Sequence, residues 1–317
     1  MARIAILDDY QDVARKLSDW SRLEKEHEVV VFTRHLGGVE QCAEALAPFD
    51  VVAITRERTA FPRALIEKLT NLKLIATAGM RNAAIDMAAA KERGIMVCGT
   101  SSTPHSTSEL TMALILAFAR NLAYEDRRMR EGHWQSTVGT TLHGRTLGVV
   151  GLGKQGGEVA HLARAFGMKL IGWSQNMTDE QAAKHGATRV SKEELFRTAD
   201  VVTLHLVLSD RTRGIVGAPE LALMQPTAFI VNTSRGPLID EKALLEALHA
   251  GRIKGAAIDV YETEPLPPDH PLRSAPRTLL SPHLGYVSEE TLRVFHGQNA
   301  DSIAHWLAGS PVRVLNG

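Results

Sequence analysis

The sequence predicts an α/β fold with two domains, each built on a parallel β-sheet. Short apolar runs of strand length alternate with helical patterns along almost the whole chain, which is typical of βα units. A length of 317 residues gives room for two such domains. Glycines at 151, 153 and 156 separate one apolar run from an alanine-rich helical pattern, which indicates a tight strand-to-helix turn in the second half.

The first 100 residues contain enough elements for a domain of their own. The apolar runs that we interpret as strands are Ile4–Leu7, Val29–Phe32, Val51–Thr55, Leu72–Thr77 and Ile95–Cys98. The helical patterns between them are Asp12–Leu23, Gly38–Leu46, Pro62–Lys68 and Asp86–Arg93. This half has no glycine triad, and its candidate ligand contacts are the loops Thr55–Thr59 and Ala78–Asn82 at strand ends.

A long helical pattern, Ser106–Met129, connects the two halves. It follows a stretch rich in capping and turn residues, and apolar side chains recur along it with helical spacing. Its polar continuation to Gly144 carries Trp134 in an otherwise hydrophilic segment. We expect this tryptophan to pack, either within the chain or against a second subunit.

From Thr146 onward the alternation of strands and helices resumes. The predicted strands are Thr146–Val150, Lys169–Ser174, Val201–Leu206, Ala228–Asn232, Ala256–Val260 and Leu279–Ser281. Helices are expected from the glycine turn to Phe166, from a capping box at Ser191 to Thr198, over Asp240–Ala250 and over Ser288–Leu307. The pattern predicts a doubly wound parallel sheet.

The composition excludes several classes of partner. Lys plus Arg and Asp plus Glu number 36 each, so the net charge favours neither nucleic acid nor an anionic membrane. Cys42 and Cys98 lie far apart and in no C-x-x-C pair, which indicates a reducing compartment and no structural zinc. No run of about 18 apolar residues and no signal-peptide pattern is present. We therefore expect a cytoplasmic protein that binds a small molecule and no metal.

The glycine turn has the G-x-G-x-x-G spacing of dinucleotide-binding sites. Gly151 permits the tight turn, Gly153 lets the backbone approach a pyrophosphate, and Gly156 lets the helix pack closely on the strand. A bare glycine triad also occurs in ordinary βα turns, but a strand before it and a helix after it are the context that dinucleotide binding requires. The second domain is therefore predicted to bind a dinucleotide.

The residue at the end of the next strand bears on which dinucleotide is bound. An acidic residue usually holds the ribose hydroxyls there, about 20 residues past the glycines. This sequence has Ser174, followed by Gln175 and Asn176. The carboxylate that would repel a 2′-phosphate is missing, yet no arginine lies nearby in the sequence to bind that phosphate. We favour NADP, and the alternative is NAD held through Ser174 and backbone contacts.

Polar residues follow three successive predicted strands of the second domain. They are Arg235, then Asp259 with Glu264, then His283. Singly, each can be a surface or structural residue, but the carboxyl ends of parallel strands meet at one edge of the sheet. Reduction of a 2-keto acid needs a cation for the carboxylate, a proton donor for the carbonyl oxygen and a group that tunes this donor. An arginine, a histidine and a carboxylate are the minimum set for that reaction.

With these motifs in this order, the sequence resembles the D-isomer-specific 2-hydroxyacid dehydrogenases. The matching residues are Gly151-x-Gly153-x-x-Gly156, Asn232-Thr233-Ser234-Arg235-Gly236, Asp259-Val260-Tyr261-Glu262-x-Glu264-Pro265 and Pro282-His283-x-Gly285. The resemblance covers nearly the whole chain. The family includes phosphoglycerate dehydrogenases, D-lactate dehydrogenases and glyoxylate or hydroxypyruvate reductases.

The resemblance implies a role for each of these polar residues. Arg235 is expected to bind the substrate carboxylate and carbonyl, and His283 to act as the acid/base. Glu264 is expected to pair with His283, and Asp259 to contact the nicotinamide end. A neighbouring carboxylate favours the imidazolium form, so Glu264 should keep His283 a proton donor.

The resemblance also implies two Rossmann-like or flavodoxin-like parallel-sheet domains with a cleft between them. Residues 1–100 with 289–317 would form the substrate-binding domain, and residues 101–288 the dinucleotide-binding domain. The expected cofactor contacts besides the glycines are Lys154, Gln155, Ser174, Thr233, Ser234 and Asp259. The expected substrate contacts are Arg56 or Arg58, backbone N–H groups near Gly79 and Met80, and Tyr286, which narrows the pocket.

The sequence thus predicts an NAD(P)H-dependent reductase of a small 2-keto acid such as glyoxylate, hydroxypyruvate or pyruvate. The family suggests a homodimer joined through the cofactor domains. The alternative is a dinucleotide-sensing interaction protein, like the corepressors related to this family. We expect the enzyme, because the sequence lacks the long disordered extensions expected around such a sensor.

Overall fold

The computed structural model describes all 317 residues, and they form two compact units. Unit 1 comprises Met1–Thr103 and Val287–Gly317, and unit 2 comprises Pro104–Tyr286. Each unit contains one all-parallel β-sheet. The predicted α/β class with two parallel sheets is confirmed.

Unit 1 is built on five short strands. They are β1 (Arg3–Ile6), β2 (Glu28–Val31), β3 (Val51–Ile54), β4 (Leu74–Thr77) and β5 (Met96–Cys98), in the spatial order β2-β1-β3-β4-β5. The helices of this unit are α1 (Ala14–Leu17), α2 (Ser21–Glu24), α3 (Val39–Leu46), α4 (Arg63–Lys68), α5 (Met87–Glu92) and α13 (Glu289–Leu307). Every residue of β3 and β4 is buried, as expected for central strands with helices on both faces of the sheet.

Unit 2 is built on seven strands. They are β6 (Thr146–Val150), β7 (Lys169–Trp173), β8 (Thr188–Arg189), β9 (Val201–Leu204), β10 (Phe229–Asn232), β11 (Gly255–Ile258) and β12 (Thr278–Leu280). The helices are α6 (Ser106–Ala119), α7 (Leu122–Arg130), α8 (Lys154–Ala165), α9 (Asp179–Lys184), α10 (Lys192–Thr198), α11 (Ala218–Leu223) and α12 (Glu241–His249). Two apolar core clusters form in this unit.

The strand order of unit 2 places the glycine turn where such sheets bind ligands. The order is β12-β11-β10-β9-β6-β7-β8, so the chain enters at β6, adds two strands on one side and then four on the other. The order therefore reverses between β6 and β9, and ligands bind beyond the carboxyl ends of the strands at such a point. The glycine turn directly follows β6.

Two predicted helices are each divided in the structure. The predicted helix Ser106–Met129 ends at Ala119, and a second helix begins at Leu122. Asn121 between them has φ +53°, a left-handed conformation that asparagine tolerates better than most residues, and its amide donates to Thr137 Oγ1 at 3.1 Å. The predicted helix Asp12–Leu23 is likewise two short helices, α1 and α2.

Two α-helices and one strand of unit 2 were not predicted. They are α9, β8 and α11. The capping box of α9, formed by Thr178 and Gln181, is a sequence pattern that could have identified it. No helix in the structure combines the length and the apolar character needed to span a bilayer.

Candidate active site

The turn after β6 demands glycine at two of its three glycine positions and has open space at the third. Gly151 has φ +98°, a conformation that side-chain-bearing residues rarely adopt. A Cβ on Gly156 would lie 2.0 Å from the carbonyl oxygen of Gly151, so only glycine lets the helix begin this close to the strand. A Cβ on Gly153 would meet nothing within 4 Å, which leaves room for a pyrophosphate to approach the backbone. The turn therefore fits a dinucleotide.

Lys154 and Gln155 are the first two residues of α8. The backbone N–H groups of the first helical turn have no acceptor inside the helix, so they are left for an anion. The structure thus places these two predicted cofactor contacts at the end of the helix that favours phosphate.

His205 lies behind the glycine turn and was not predicted as a site residue. Its carbonyl oxygen is 3.0 Å from the position that a Cβ on Gly151 would take. The residue is half-buried as a whole, but its Nδ1 atom is shut off from solvent, and its Nε2 atom lies 2.9 Å from Thr203 Oγ1. Burial lowers the pKa of His205 to about 4, so its imidazole is neutral near pH 7.

Ser174 follows β7 and is half-buried. Trp173, the residue before Ser174, lies close to a lysine: the Nζ atom of Lys192 is 5.8 Å from the centroid of the Trp173 ring. The same Nζ atom lies 2.8 Å from Glu220 Oε1. The cation close to this strand end is therefore already paired with a carboxylate.

The loop after β10 holds Arg235 by side-chain hydrogen bonds. The Asn232 amide donates to the carbonyl oxygen of Arg235 at 2.9 Å, and its Oδ1 atom accepts from the Ser234 N–H at 3.0 Å. The half-buried Arg235 guanidinium donates from Nη1 to the Ser234 carbonyl oxygen at 2.8 Å. Asn232 thus folds the loop into a tight turn around the arginine.

Two hydroxyl groups of this loop are also held in place. Thr233 Oγ1 lies 2.7 Å from Thr111 Oγ1, and Ser234 Oγ donates to the Leu206 carbonyl oxygen at 2.7 Å. The sequence offered no sign that Thr111, on α6, would contact this loop. These bonds fix the loop that carries the predicted cofactor contacts.

Asp259, directly after β11, is fully buried. Its Oδ1 atom accepts from the Ser281 hydroxyl and from the Leu284 N–H, the latter at 2.7 Å. Its Oδ2 atom accepts from the Gly285 N–H at 3.0 Å. Burial raises the pKa of the Asp259 carboxyl, and these hydrogen bonds oppose that rise. The carboxylate holds the segment 281–285, and its contact with a nicotinamide stays a prediction.

His283 lies in the middle of that segment and faces Glu264. Its Nδ1 atom is 2.7 Å from Glu264 Oε2, and the two side chains are 12% and 17% exposed. Glu264 Oε1 accepts from the Tyr261 N–H at 2.8 Å, which fixes the carboxylate plane. The Tyr286 ring stands edge-on to the imidazole, with ring centroids 5.6 Å apart. Because Nδ1 faces Glu264, Nε2 lies on the opposite side of the imidazole ring.

Four predicted substrate contacts lie in unit 1. Arg56 has φ +52°, and its Nη1 atom lies 2.2 Å from the position that a Cβ on Gly79 would take, so the guanidinium packs directly on that glycine. The Gly79 N–H donates to Thr100 Oγ1 at 2.8 Å and is therefore not available to a ligand. Met80 is 53% exposed, and Arg58 is half-buried on the same loop as Arg56.

Comparison with known proteins places the chain in a family. Residues 112–285 match the family model of the D-isomer specific 2-hydroxyacid dehydrogenase, NAD binding domain. The chain is 39% identical over 313 residues to D-3-phosphoglycerate dehydrogenase of Methanocaldococcus jannaschii, an alignment that covers 98% of this chain and 58% of that protein. It is 30% identical over 325 residues to hydroxypyruvate reductase of Blautia hydrogenotrophica, with 99% of each protein covered.

A solved structure agrees with these relatives. Phosphoglycerate oxidoreductase from Vibrio cholerae has a TM-score of 0.92 and 37% sequence identity, with 98% of this chain and 100% of that one covered. The chain spans little more than half the length of the Methanocaldococcus relative. It spans almost the whole of the Blautia reductase. As its motifs predicted, the chain belongs to the D-isomer-specific 2-hydroxyacid dehydrogenase family.

Proposed function

We propose that this chain is an NAD(P)-dependent D-2-hydroxyacid dehydrogenase that reduces a small 2-keto acid. The observation that carries the proposal is the pair formed by Glu264 and His283, whose facing atoms are 2.7 Å apart. Both residues follow strands of the sheet that also carries the glycine turn. A carboxylate-paired imidazole at this edge is a proton donor placed where dinucleotides bind.

His283 is the general acid in the direction of reduction. When the ring is protonated, its Nδ1–H donates to Glu264 and its Nε2–H donates to the substrate carbonyl oxygen. A nicotinamide dinucleotide held at the glycine turn would supply the hydride that the carbonyl carbon accepts. Nε2 gives its proton to the oxygen and is left as an acceptor, and Glu264 holds the ring in orientation throughout. Oxidation of the hydroxy acid uses the same atoms in reverse.

Arg235 binds the carboxylate and carbonyl oxygen of the substrate. A guanidinium offers paired donors in one plane, which suits these two oxygens. We assign the carboxylate also to the Arg56 guanidinium, with Arg58 on the same loop, and to the Met80 N–H. The Met80 N–H replaces that of Gly79 in this assignment, because the latter is bonded to Thr100. Tyr286 limits the space beside the imidazole.

The glycine turn, Thr233, Ser234 and Ser174 hold the dinucleotide in this proposal. NADP is favoured over NAD because Ser174 brings no carboxylate against a 2′-phosphate. These cofactor contacts assign dinucleotide binding to residues 101–288. Residues 1–100 with 289–317, which carry Arg56, Arg58 and Met80, form the substrate-binding domain in this proposal.

The substrate class comes from the relatives. One is named hydroxypyruvate reductase, others glyoxylate reductase and D-3-phosphoglycerate dehydrogenase. All three names describe short 2-hydroxy or 2-keto acids. We therefore place glyoxylate and hydroxypyruvate first among the candidates, followed by pyruvate and the phosphorylated keto acid.

We further propose a cytoplasmic homodimer joined through unit 2. Large apolar side chains are exposed over one short segment: Leu122 and Met129 at 60%, Trp134 at 74% and Val138 at 94%. A cavity of about 610 Å³ lies beside them, lined in part by Phe118. Exposed apolar groups at this density are typical of a protein interface. Light scattering should give the mass of two chains, and Trp134→Ser should shift it toward one.

A panel of 2-keto acids tests the enzymatic proposal. The purified chain is mixed with glyoxylate, hydroxypyruvate, pyruvate or phosphohydroxypyruvate and with NADH or NADPH, and loss of reduced-cofactor absorbance is recorded. We expect turnover of at least one acid, with a D-hydroxy acid as the product. Tight NADH binding without turnover of any acid would favour the sensing protein instead.

A further inference from the structure

Tyr261 contacts all three polar segments of the candidate active site. It lies two residues after Asp259, in the turn that leads from β11 to Glu264. The residue is 8% exposed and belongs to one of the two core clusters of unit 2. The sequence motif that contains it gave it no role.

The hydroxyl of Tyr261 joins the ends of two strands. It lies 3.1 Å from the Ile258 carbonyl oxygen and 2.9 Å from the Ser281 carbonyl oxygen. Ile258 is the last residue of β11, and Ser281 is the first after β12. At this point the two strands diverge into the segments that carry Glu264 and His283. Burial raises the pKa of the phenol, so the hydroxyl remains a donor at every working pH.

The backbone of Tyr261 holds the carboxylate that orients the imidazole. Its N–H donates to Glu264 Oε1 at 2.8 Å, while Oε2 of the same carboxylate faces His283 Nδ1. One residue therefore fixes the Glu264 carboxylate with its N–H and the start of the His283 segment with its hydroxyl.

The peptide that follows Tyr261 supports the arginine loop. A Cβ on Gly236 would lie 2.1 Å from the Tyr261 carbonyl carbon and 2.4 Å from its carbonyl oxygen. Gly236 directly follows Arg235, so the arginine loop rests on this peptide with no space for a side chain. A shift of the Tyr261 backbone therefore moves the Arg235 loop as well.

We propose that Tyr261 is a positioning residue that sets the arginine loop, the Glu264 carboxylate and the His283 segment relative to one another. The inference rests on the proposed function, because it assigns to these segments a joint role in catalysis. The ring alone would serve packing, and phenylalanine would supply it equally well. Only the hydroxyl ties the Ser281 carbonyl oxygen to the turn that contains Glu264.

Tyr261→Phe is the test, with Ile253→Val as its matched control. Ile253 is fully buried in the same core cluster, and loss of one methylene there destabilises a fold about as much as loss of one hydrogen bond. For Tyr261→Phe we expect kcat to fall about 5- to 20-fold. The KM for the keto acid and the Kd for NADH, from fluorescence titration, should stay within about twofold of wild type. Ile253→Val should melt at a similar temperature and keep its kcat.

Each alternative outcome identifies what has failed. If Tyr261→Phe keeps the wild-type kcat while its melting temperature falls, Tyr261 serves stability alone and the inference is overturned. If Ile253→Val loses as much kcat, the loss follows from destabilisation and the inference is again overturned. Absence of wild-type turnover with every keto acid would instead overturn the proposed function, and this inference with it.

Discussion

The Nδ1 atom of His283 lies 2.7 Å from Oε2 of Glu264, although the two residues are 19 positions apart in the chain. His283 has φ +54°, a left-handed conformation that costs a residue with a side chain roughly 1–2 kcal/mol. The Asp259 carboxylate holds the two residues that follow His283, because it accepts hydrogen bonds from the Leu284 and Gly285 N–H groups. The imidazole thus reaches Glu264 from a strained backbone position that a buried carboxylate maintains.

His283→Gln should lower kcat by roughly 10²- to 10⁴-fold, because a positioned general acid contributes about that much. Binding of NADH should change little, because the glycine turn is untouched. Steady-state kinetics and a fluorescence titration with NADH measure the two effects separately. His249→Gln, at an exposed histidine of α12, is the control and should behave as wild type. A near-wild-type kcat for His283→Gln would remove this histidine from the acid role.

Arg235→Lys should reduce kcat/KM for every keto acid, by about 10- to 100-fold, because a lysine cannot reproduce two parallel charge-assisted hydrogen bonds. Most of the loss should appear as a higher KM, since the ground-state carboxylate is already bound by this group. Arg252→Lys makes the same chemical change at an exposed position of unit 2. Equal kcat/KM values for Arg235→Lys and wild type would show that the guanidinium does not bind substrate.

Asp259→Asn should impair both stability and turnover. The Asp259 carboxylate accepts three hydrogen bonds, and an amide would turn an N–H₂ group toward at least one of those donors. A buried donor left unsatisfied costs about 1–3 kcal/mol, which a urea unfolding curve would show. We also expect kcat to fall, because the His283 segment loses its support.

Asp269→Asn removes the same charge from an exposed position and is the control for the Asp259 variant. It should leave the unfolding midpoint and kcat unchanged. An unfolding midpoint for Asp259→Asn equal to that of wild type would contradict the support that we assign to this carboxylate.

The sequence allowed the sheets and the polar strand ends to be predicted, because both depend on local patterns. Apolar runs indicate strands, and Arg235, Glu264 and His283 follow strands whose carboxyl ends share one edge. The burial of Asp259 could not be predicted, because a carboxylate after a strand has the same sequence pattern whether it faces a ligand or its own backbone. The orientation of the Asp259 carboxylate depends on hydrogen-bond donors from residues more than 20 positions away in the chain.

The other differences have similar causes. The apolar periodicity continues across Arg120 and Asn121, so no sequence pattern indicated that the helix ends before the left-handed Asn121. Gly79 and Met80 are neighbours with equivalent backbone N–H groups in the sequence. Only the fold brings the Thr100 hydroxyl to one of them. Such contacts join distant parts of the chain and leave no periodic pattern.

Acid should destabilise the protein between about pH 6.5 and pH 4, and His205 should account for part of the effect. Burial lowers the pKa of His205 in the folded protein from 6.5 to about 4. Within this window the unfolded chain binds a proton that the folded protein excludes, so the free energy of unfolding falls as the pH falls. Above about pH 6.5 both states are neutral at this residue and the effect vanishes.

His205→Gln keeps an amide near the position of Nε2, where it can contact Thr203, and cannot be protonated in this range. Its melting temperature should therefore decline less than that of wild type between about pH 7 and pH 4.5. His133→Gln, at an exposed histidine, should decline in parallel with wild type. Parallel curves for His205→Gln and wild type would show that this imidazole is not kept neutral by the fold.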